Sequence, residues 1–274
     1  MEKNIIDSVN KLLITAGNAI LDIYNSDDFN VSLKSDNSPV TYADKTSSKI
    51  INEGLKKLFP EIPIIDEETI IPDYEIRKNW DYFFLVDPLD GTKEFIKKNG
   101  EFCINLALIK GNSPVKGWIY QPLAGKGWFA CKGNGISEFT QTGNFQKIKT
   151  ETGNSEKIKI AISRSFSKPR EQEIIKTIEK KYPVEVINVG SAIKQVALAT
   201  GHYDMYLKAG YCSEWDTAPG QLLVEESGGA VFTFRDFQPL QYNKPVCTNP
   251  RFVMLNSKLN TPEFVKFIKK IIHI

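Results

Sequence analysis

Near the N-terminus, Ile5, Ile6, Val9, Leu12, Leu13, Ala16, Ile20 and Ile23 recur at the spacing of a helix with one buried face. A polar, turn-rich stretch, Ser35-Asp36-Asn37-Ser38-Pro39, interrupts the pattern. A second helix is expected to start within Thr41–Ala43 and to run to Phe59, with Ser47, Ile50, Ile51, Gly54, Leu55 and Leu58 on one side. Pro60 and Pro63 close it. From there the period shortens toward that of strands. Pro63–Asp66 is short and apolar, and Tyr82-Phe83-Phe84-Leu85-Val86 is a continuous apolar run that ends on Asp87. Phe102–Ile109, Val115–Gln121 and Lys126–Cys131 read as an antiparallel meander, with turn signals at Gly111-Asn112, Ala124-Gly125 and Gly133-Asn134-Gly135.

Thr140–Lys157, rich in Thr, Gly, Asn and Gln, breaks this pattern. It is the expected boundary between an N-terminal half, residues 1–150, and a C-terminal half, residues 151–274. Beyond it strands are expected at Ile158–Ser163, Val184–Val189, Tyr203–Leu207, Ala230–Phe234 and Phe252–Leu255. Helices are expected between them at Pro169–Lys181, Ser191–Thr200 and Asp216–Ser227, with a closing helix at Pro262–Ile272. Antiparallel connections early and strand–helix alternation late predict a layered α/β (α+β) fold.

Composition narrows the function classes. A chain of 274 residues with 41% hydrophobic and 25% charged content is ordinary for a globular protein. The formal charge of +2, from 35 basic and 33 acidic residues, gives no footprint for a nucleic-acid polymer. A local basic patch for a small, highly anionic substrate remains open. Cys103, Cys131, Cys212 and Cys247 lie far apart without a CxxC pair, which argues against a zinc knuckle. With only His202 and His273, histidine-based nucleophilic or metal chemistry is poorly supported. No secretory signal and no apolar run long enough for a membrane span are visible, so a cytoplasmic protein with reduced cysteines is expected. Peripheral membrane association and the choice between monomer and homodimer stay open.

Candidate chemistry lies in acidic residues at the ends of expected elements: Asp44, Glu67 with Glu68, Asp87 with Asp90, and Asp216. Taken singly, Asp44 reads as a helix-dipole carboxylate, Glu67-Glu68 as a solvated loop pair and Asp216 as a helix cap. Asp87-Pro88-Leu89-Asp90-Gly91-Thr92 resists such a reading. It places two aspartates three apart at the end of a buried strand, where they repel one another unless a cation sits between them. Mg²⁺ suits such a cluster because it takes carboxylate and carbonyl oxygens and keeps waters for substrate phosphate oxygens. Two such ions about 4 Å apart serve in-line displacement at phosphorus. Gly91 and Thr92, at the start of a following helix, would offer N–H groups to a phosphate.

These motifs, with Trp215-Asp216-Thr217-Ala218-Pro219-Gly220, Asn37-Ser38-Pro39-Val40-Thr41-Tyr42-Ala43-Asp44 and Asp66-Glu67-Glu68, resemble those of the inositol monophosphatase superfamily over nearly the whole chain. The resemblance implies an αβαβα sandwich of the sugar-phosphatase type. It implies Glu67, Asp87, Asp90, Asp216 and the main-chain carbonyl of Leu89 as metal ligands, with Asp44 near a third, weaker ion. Thr92 and Glu67 would orient a metal-activated water that attacks phosphorus directly, and Li⁺ is expected to inhibit by occupying a weak Mg²⁺ position.

After Thr92 the sequence Lys93-Glu94-Phe95 resembles the 3′(2′),5′-bisphosphate nucleotidase branch of that superfamily. Such enzymes remove the 3′-phosphate of adenosine 3′,5′-bisphosphate, a by-product of sulfate activation. By that resemblance Gly91, Thr92, Lys93, Ser163, Arg164, Gly190, Ser191, Lys194 and Asp216 contact substrate. Arg164 and Lys194 are suitable partners for a second phosphate. Asp66, Pro219 and the Ala192-Ile193 segment depart from the usual pattern. The alternatives are inositol-1-phosphate or fructose-1,6-bisphosphate hydrolysis on the same metal site, and a non-catalytic nucleotide-sensing module.

Overall fold

A computed structural model describes residues 3–26, 29, 31–33, 39–150, 155–164 and 168–272. The turn at Ser35–Ser38, Ser165 and His273 lie outside these described residues. The N-terminal half runs α1 (Lys3–Tyr24), β1 (Ser32–Leu33), β2 (Pro39–Val40), α2 (Tyr42–Leu58), β3 (Ile64–Asp66), α3 (Tyr74–Arg77) and β4 (Tyr82–Asp90). It continues with α4 (Thr92–Ile96), β5 (Cys103–Lys110), β6 (Ser113–Gln121), β7 (Lys126–Cys131), β8 (Ile136–Thr140) and β9 (Phe145–Lys147). Strands β3 to β9 form a seven-stranded sheet in chain order, antiparallel except for the parallel pair β3–β4.

The C-terminal half comprises β10 (Ile158–Ser163), α5 (Pro169–Glu179), β11 (Val184–Val189), α6 (Ile193–Ala199), β12 (Met205–Lys208), β13 (Cys212–Ser213) and α7 (Ala218–Glu226). It ends with β14 (Ala230–Thr233), β15 (Thr248–Asn249), β16 (Phe252–Leu255) and α8 (Pro262–Ile272). Its five-stranded sheet has the order β11-β10-β12-β16-β14, and β11, β10 and β12 are parallel.

Side-chain alternation builds five layers. Phe84 and Val86 of β4 join Val9, Leu13, Ile51 and Leu55 of α1 and α2 in one core. Phe83 and Leu85 face the other way, into a core shared with Val196 of α6, Leu222 of α7 and Tyr206 of β12. A third core lies between the far face of the smaller sheet and α5 and α8, with Ile160, Ile174 and Ile268. The order helix, sheet, helix, sheet, helix is the expected αβαβα sandwich. Trp118 on β6 fastens the first pair of layers by donating its Nε1–H to Asn10 Oδ1 of α1 at 3.1 Å.

Three local expectations need correction. β8, absent from the expected meander, adds a strand beside β7, and the three-residue β9 extends the large sheet into what read as polar linker, because pairing with β8 stands in for side-chain hydrophobicity. Gly127 makes this possible: a Cβ there would stand 2.1 Å from Phe139 Cζ, so only glycine admits the ring. Helix α6 starts at Ile193, not Ser191, because Ser191 has φ 44. Helix α7 starts at Ala218 with Thr217 at its N-cap, which frees Asp216 from the capping role. Among the described residues no helix is long and apolar enough to cross a membrane. A division of the chain near residue 150 stays a proposal, since α7 packs across β6 and β7 of the other half.

That packing explains Pro219. It occupies the first turn of α7, where its missing N–H costs nothing, and its backbone lies on Gly117 of β6. A Cβ at Gly117 would stand 2.8 Å from Pro219 Cα and 2.9 Å from its carbonyl oxygen. Gly117→Ala is therefore expected to pry α7 from the sheet and cost about 1–3 kcal/mol. Urea denaturation measures it, and an unchanged midpoint would contradict this close contact.

Candidate active site

The aspartate pair owes its geometry to a β-bulge. Asp87 pairs with Asn105 and Asp90 with Cys103, so three steps on β4 match two on β5. Without the extra residue, strand alternation would put Asp87 and Asp90 on opposite faces. With it, Leu89 turns into the α1–α2 core, and both aspartates face the α6–α7 layer. The parallel β3–β4 register then sets Glu67 beside Asp87, its N–H donating to Val86 O at 3.2 Å. Asp216 arrives from the turn before α7, held by the Ser213 N–H at 2.9 Å.

Glu67, Asp87 and Asp216 each offer an oxygen within 4.8 Å of the others. Asp90 stands beside this triad but is turned: its Oδ2 accepts from the Ala192 N–H and from Asn105 Nδ2 at 3.3 Å. Burial first, then repulsion from Glu67, Asp90, Asp216 and Asp44, pushes the Asp87 carboxyl well above the usual range. Burial first, then Asp90 and Glu67, does the same to Asp216. Burial raises Asp90 too, opposed by Lys194. An all-oxygen set of crowded anions fits a hard divalent cation, whose charge reverses that repulsion.

Asp44 serves two partners at once. Its Oδ2 accepts from the Thr41 N–H at 2.7 Å and the Thr41 hydroxyl at 2.6 Å, completing a capping box on α2. Its Oδ1 accepts the Thr92 hydroxyl proton at 2.9 Å. Thr92 is thus paired with Asp44 and, at 3.3 Å, with the Leu89 carbonyl. Gly91, at φ 95, precedes α4 where a Cβ would meet Glu101 O at 2.6 Å. Asp66 is absent from the triad: Ser48, Asn52 and the Glu68 N–H bind its carboxylate and tie α2 to β3.

A cleft of ≈ 380 Å³ opens over the triad, and every residue that the sequence assigned to substrate contact lines it. Arg164 grips Glu101 in a two-pronged pair, Nε–Oε2 2.8 Å and Nη2–Oε1 2.6 Å, and the Gly190 N–H joins at 2.7 Å. Burial would raise the Glu101 carboxyl, but these donors outweigh it and leave it below the usual range. Lys194 is buried, with its ammonium on Ser191 O and 5.0 Å from the Tyr206 ring centroid. Sequence reasoning missed Asn105, Glu101, Lys208 and Cys212. Asn105 left a signal, as the lone amide in the apolar run Cys103–Ile109. Burial first, then the Asp216 charge, pushes the Cys212 thiol up to about 12, so it is a weak nucleophile.

A layered αβαβα fold with a carboxylate triad at the mouth of a cation-lined cleft defines a phosphate-ester-handling class. The chain belongs to the inositol monophosphatase family, whose model matches residues 2–272. The 3′(2′),5′-bisphosphate nucleotidase CysQ of Escherichia coli K12 is 34% identical over 252 residues, 92% of this chain and 96% of its own. That of Buchnera aphidicola is 38% identical over 234 residues, 85% of each. Among solved structures, CysQ from Bacteroides thetaiotaomicron superposes with a TM-score of 0.80 at 33% identity, covering 94% of this chain and 98% of its own. An inositol monophosphatase from Thermotoga maritima shares the fold, with a TM-score of 0.76 at 23% identity over 97% of each chain.

Proposed function

We propose that the chain is a Mg²⁺-dependent 3′(2′),5′-bisphosphate nucleotidase that converts adenosine 3′,5′-bisphosphate to AMP and phosphate. The observation that carries this reading is a single cleft that joins carboxylates of a candidate metal cluster to two buried ammonium groups, Lys194 and Lys208. A monophosphate needs only the first; a bisphosphate uses both. The relatives over 30% identical that carry the name CysQ support the same substrate.

Glu67, Asp87 and Asp216 would hold the cation, with Asp90 and the Leu89 carbonyl beside them. When bound, Mg²⁺ supplies polarisation of the phosphoryl oxygens and lowers the pKa of water. Because Asp44 takes the Thr92 proton, Thr92 Oγ1 keeps its lone pairs for a water hydrogen from the cleft. Half-buried Glu67, on the cleft wall, is the second acceptor that fixes that water. The Gly91 turn brings backbone close to where the phosphoryl group sits. With all four cysteines unpaired, a cytoplasmic location belongs to the same reading.

The test is phosphate release from adenosine 3′,5′-bisphosphate, inositol-1-phosphate and fructose-1,6-bisphosphate, each with Mg²⁺, with chelator and with Li⁺. The highest kcat/KM is expected on the nucleotide, with loss on chelation and inhibition by Li⁺. Preference for either sugar phosphate would overturn the substrate assignment, and turnover in chelator the metal assignment.

A further inference from the structure

Helix α6 stands between the two turns that carry Asp90 and Asp216, and contacts from this one element reach both. At its start the Ala192 N–H donates to Asp90 Oδ2, on the turn that ends β4. Three residues on, Gln195 Nε2 donates to the main-chain carbonyl of Asp216 at 2.7 Å, in the turn before α7. Positions three apart lie on one face of a helical turn, and the Gln195 N–H closes this turn on Ala192 O at 2.8 Å. One short element thus ties a carboxylate turn of the N-terminal half to one of the C-terminal half. The Asp216 side chain has its own donor, the Ser213 N–H at 2.9 Å, so carbonyl and carboxylate are held separately.

Gln195 is a poor residue for stability in this place. It is 2% exposed, and its Oε1 is buried and meets no donor among the described residues. Turning the amide over would set two acceptor oxygens against each other, so the end without a partner is fixed as Oε1. A buried oxygen left unpaired costs at least what one neutral hydrogen bond contributes, and the amide as a whole brings folding no net gain. Room for it comes from Gly220 in the first turn of α7, where a Cβ would stand 1.8 Å from Gln195 Oε1 and 2.5 Å from its Cδ. Glycine in a helix is itself less stable than alanine. Two destabilising choices therefore meet at one contact. Methionine has similar length and would fill the space with no unpaired oxygen. What it cannot supply is the N–H that holds the Asp216 main chain. Local choices that work against stability are expected where function needs them.

We propose that Gln195 is a positioning residue for the cation site. Through the Asp216 carbonyl it fixes the turn that presents the Asp216 carboxylate, although it adds nothing to the stability of the metal-free fold. The proposal rests on the reading of Glu67, Asp87 and Asp216 as cation ligands.

Gln195→Met and the wild type are compared in three measurements. The melting temperature in chelator reads folding alone. Mn²⁺ binding without substrate, followed by loss of the free-ion EPR signal, reads the site, since Mn²⁺ takes the same oxygen ligands as Mg²⁺. The third is kcat and KM for adenosine 3′,5′-bisphosphate over a Mg²⁺ titration. Loss of one positioning hydrogen bond is expected to raise the Mn²⁺ dissociation constant roughly tenfold. The melting temperature in chelator should stay unchanged or rise, and kcat should recover at saturating Mg²⁺ with KM little moved. An unchanged Mn²⁺ dissociation constant would overturn the proposal. A lower melting temperature with kcat that saturating Mg²⁺ does not restore would also overturn it, leaving Gln195 as scaffold. Should Gln195→Met fail to fold, Gln195→Leu, apolar and slightly shorter, carries the same comparison. A wild type that binds no Mn²⁺ sinks the cation reading itself, and this proposal with it.

Discussion

Asp87→Asn is expected to lower kcat/KM by on the order of 10³-fold or more, equivalent to about 4 kcal/mol of transition-state stabilisation. The replacement keeps shape and packing in a fully buried position, so the loss reports the charge that holds the cation. The same change is expected to stabilise the metal-free protein at alkaline pH. Asp87 is raised by burial and then by Glu67, Asp90, Asp216 and Asp44. A carboxyl raised in the fold binds its proton more tightly there than in the unfolded chain. Its penalty on folding is absent below the unfolded value of about 4 and complete once pH passes the raised folded value. In chelator, wild type should therefore lose stability as pH rises from 5 to 8, on the scale of this shift, and Asp87→Asn should lose less. Melting curves at the two pH values check it. A variant that keeps near wild-type turnover would remove Asp87 from the metal site, and parallel melting trends would refute the electrostatic account.

Glu214→Ala is expected to cost about 3–5 kcal/mol and to raise the Mg²⁺ concentration needed for half-maximal activity. Glu214 is fully buried two residues before Asp216. Its carboxylate accepts the Asn243 N–H at 2.7 Å, the Lys244 N–H at 3.0 Å and the Lys244 ammonium at 2.6 Å. That loop is held from its other side by buried Arg77, which donates to Asn243 Oδ1, Lys244 O and Pro245 O at 2.7, 2.7 and 2.8 Å. Arg77 thus fixes the loop, the loop fixes Glu214, and Glu214 fixes the turn that presents Asp216. Removing the carboxylate orphans two backbone donors and loosens that turn. Urea denaturation and a Mg²⁺ titration of activity separate the two effects. A stability loss with an unmoved Mg²⁺ requirement would leave Glu214 as scaffold only, and Glu214→Gln, which keeps an acceptor oxygen, should fall between.

Much of the fold was legible because its elements are strongly periodic. The strands Ile158–Ser163, Val184–Val189 and Phe252–Leu255 and the helix Pro262–Ile272 stand where the pattern put them. β9 did not announce itself, since Phe145–Lys147 has one apolar residue and owes its strand conformation to pairing with β8. Among the metal-ligand candidates Asp87 and Asp90 were legible for a chemical reason, since aspartates ending an apolar strand are costly without a cation, whereas Glu67, Asp216 and the Leu89 carbonyl were named only by the family resemblance. Glu101 and Lys208 were not legible, because a single charge at the end of an element resembles any surface charge until its burial is known.

The sequence by itself determined the helical and strand periods, the acidic residues available to a cation and the family to which they point. Tertiary structure decided which of those residues meet. Glu67, Asp87 and Asp216 converge through the β3–β4 register and the docking of α7 on Gly117, and a one-residue bulge turns Asp90 to the same face. Asp90 is drawn to the Ala192 N–H, Thr92 to Asp44 and Lys208 to Ser163. Local pattern carries the period of each element, whereas a contact between residues far apart in the chain depends on how whole layers pack.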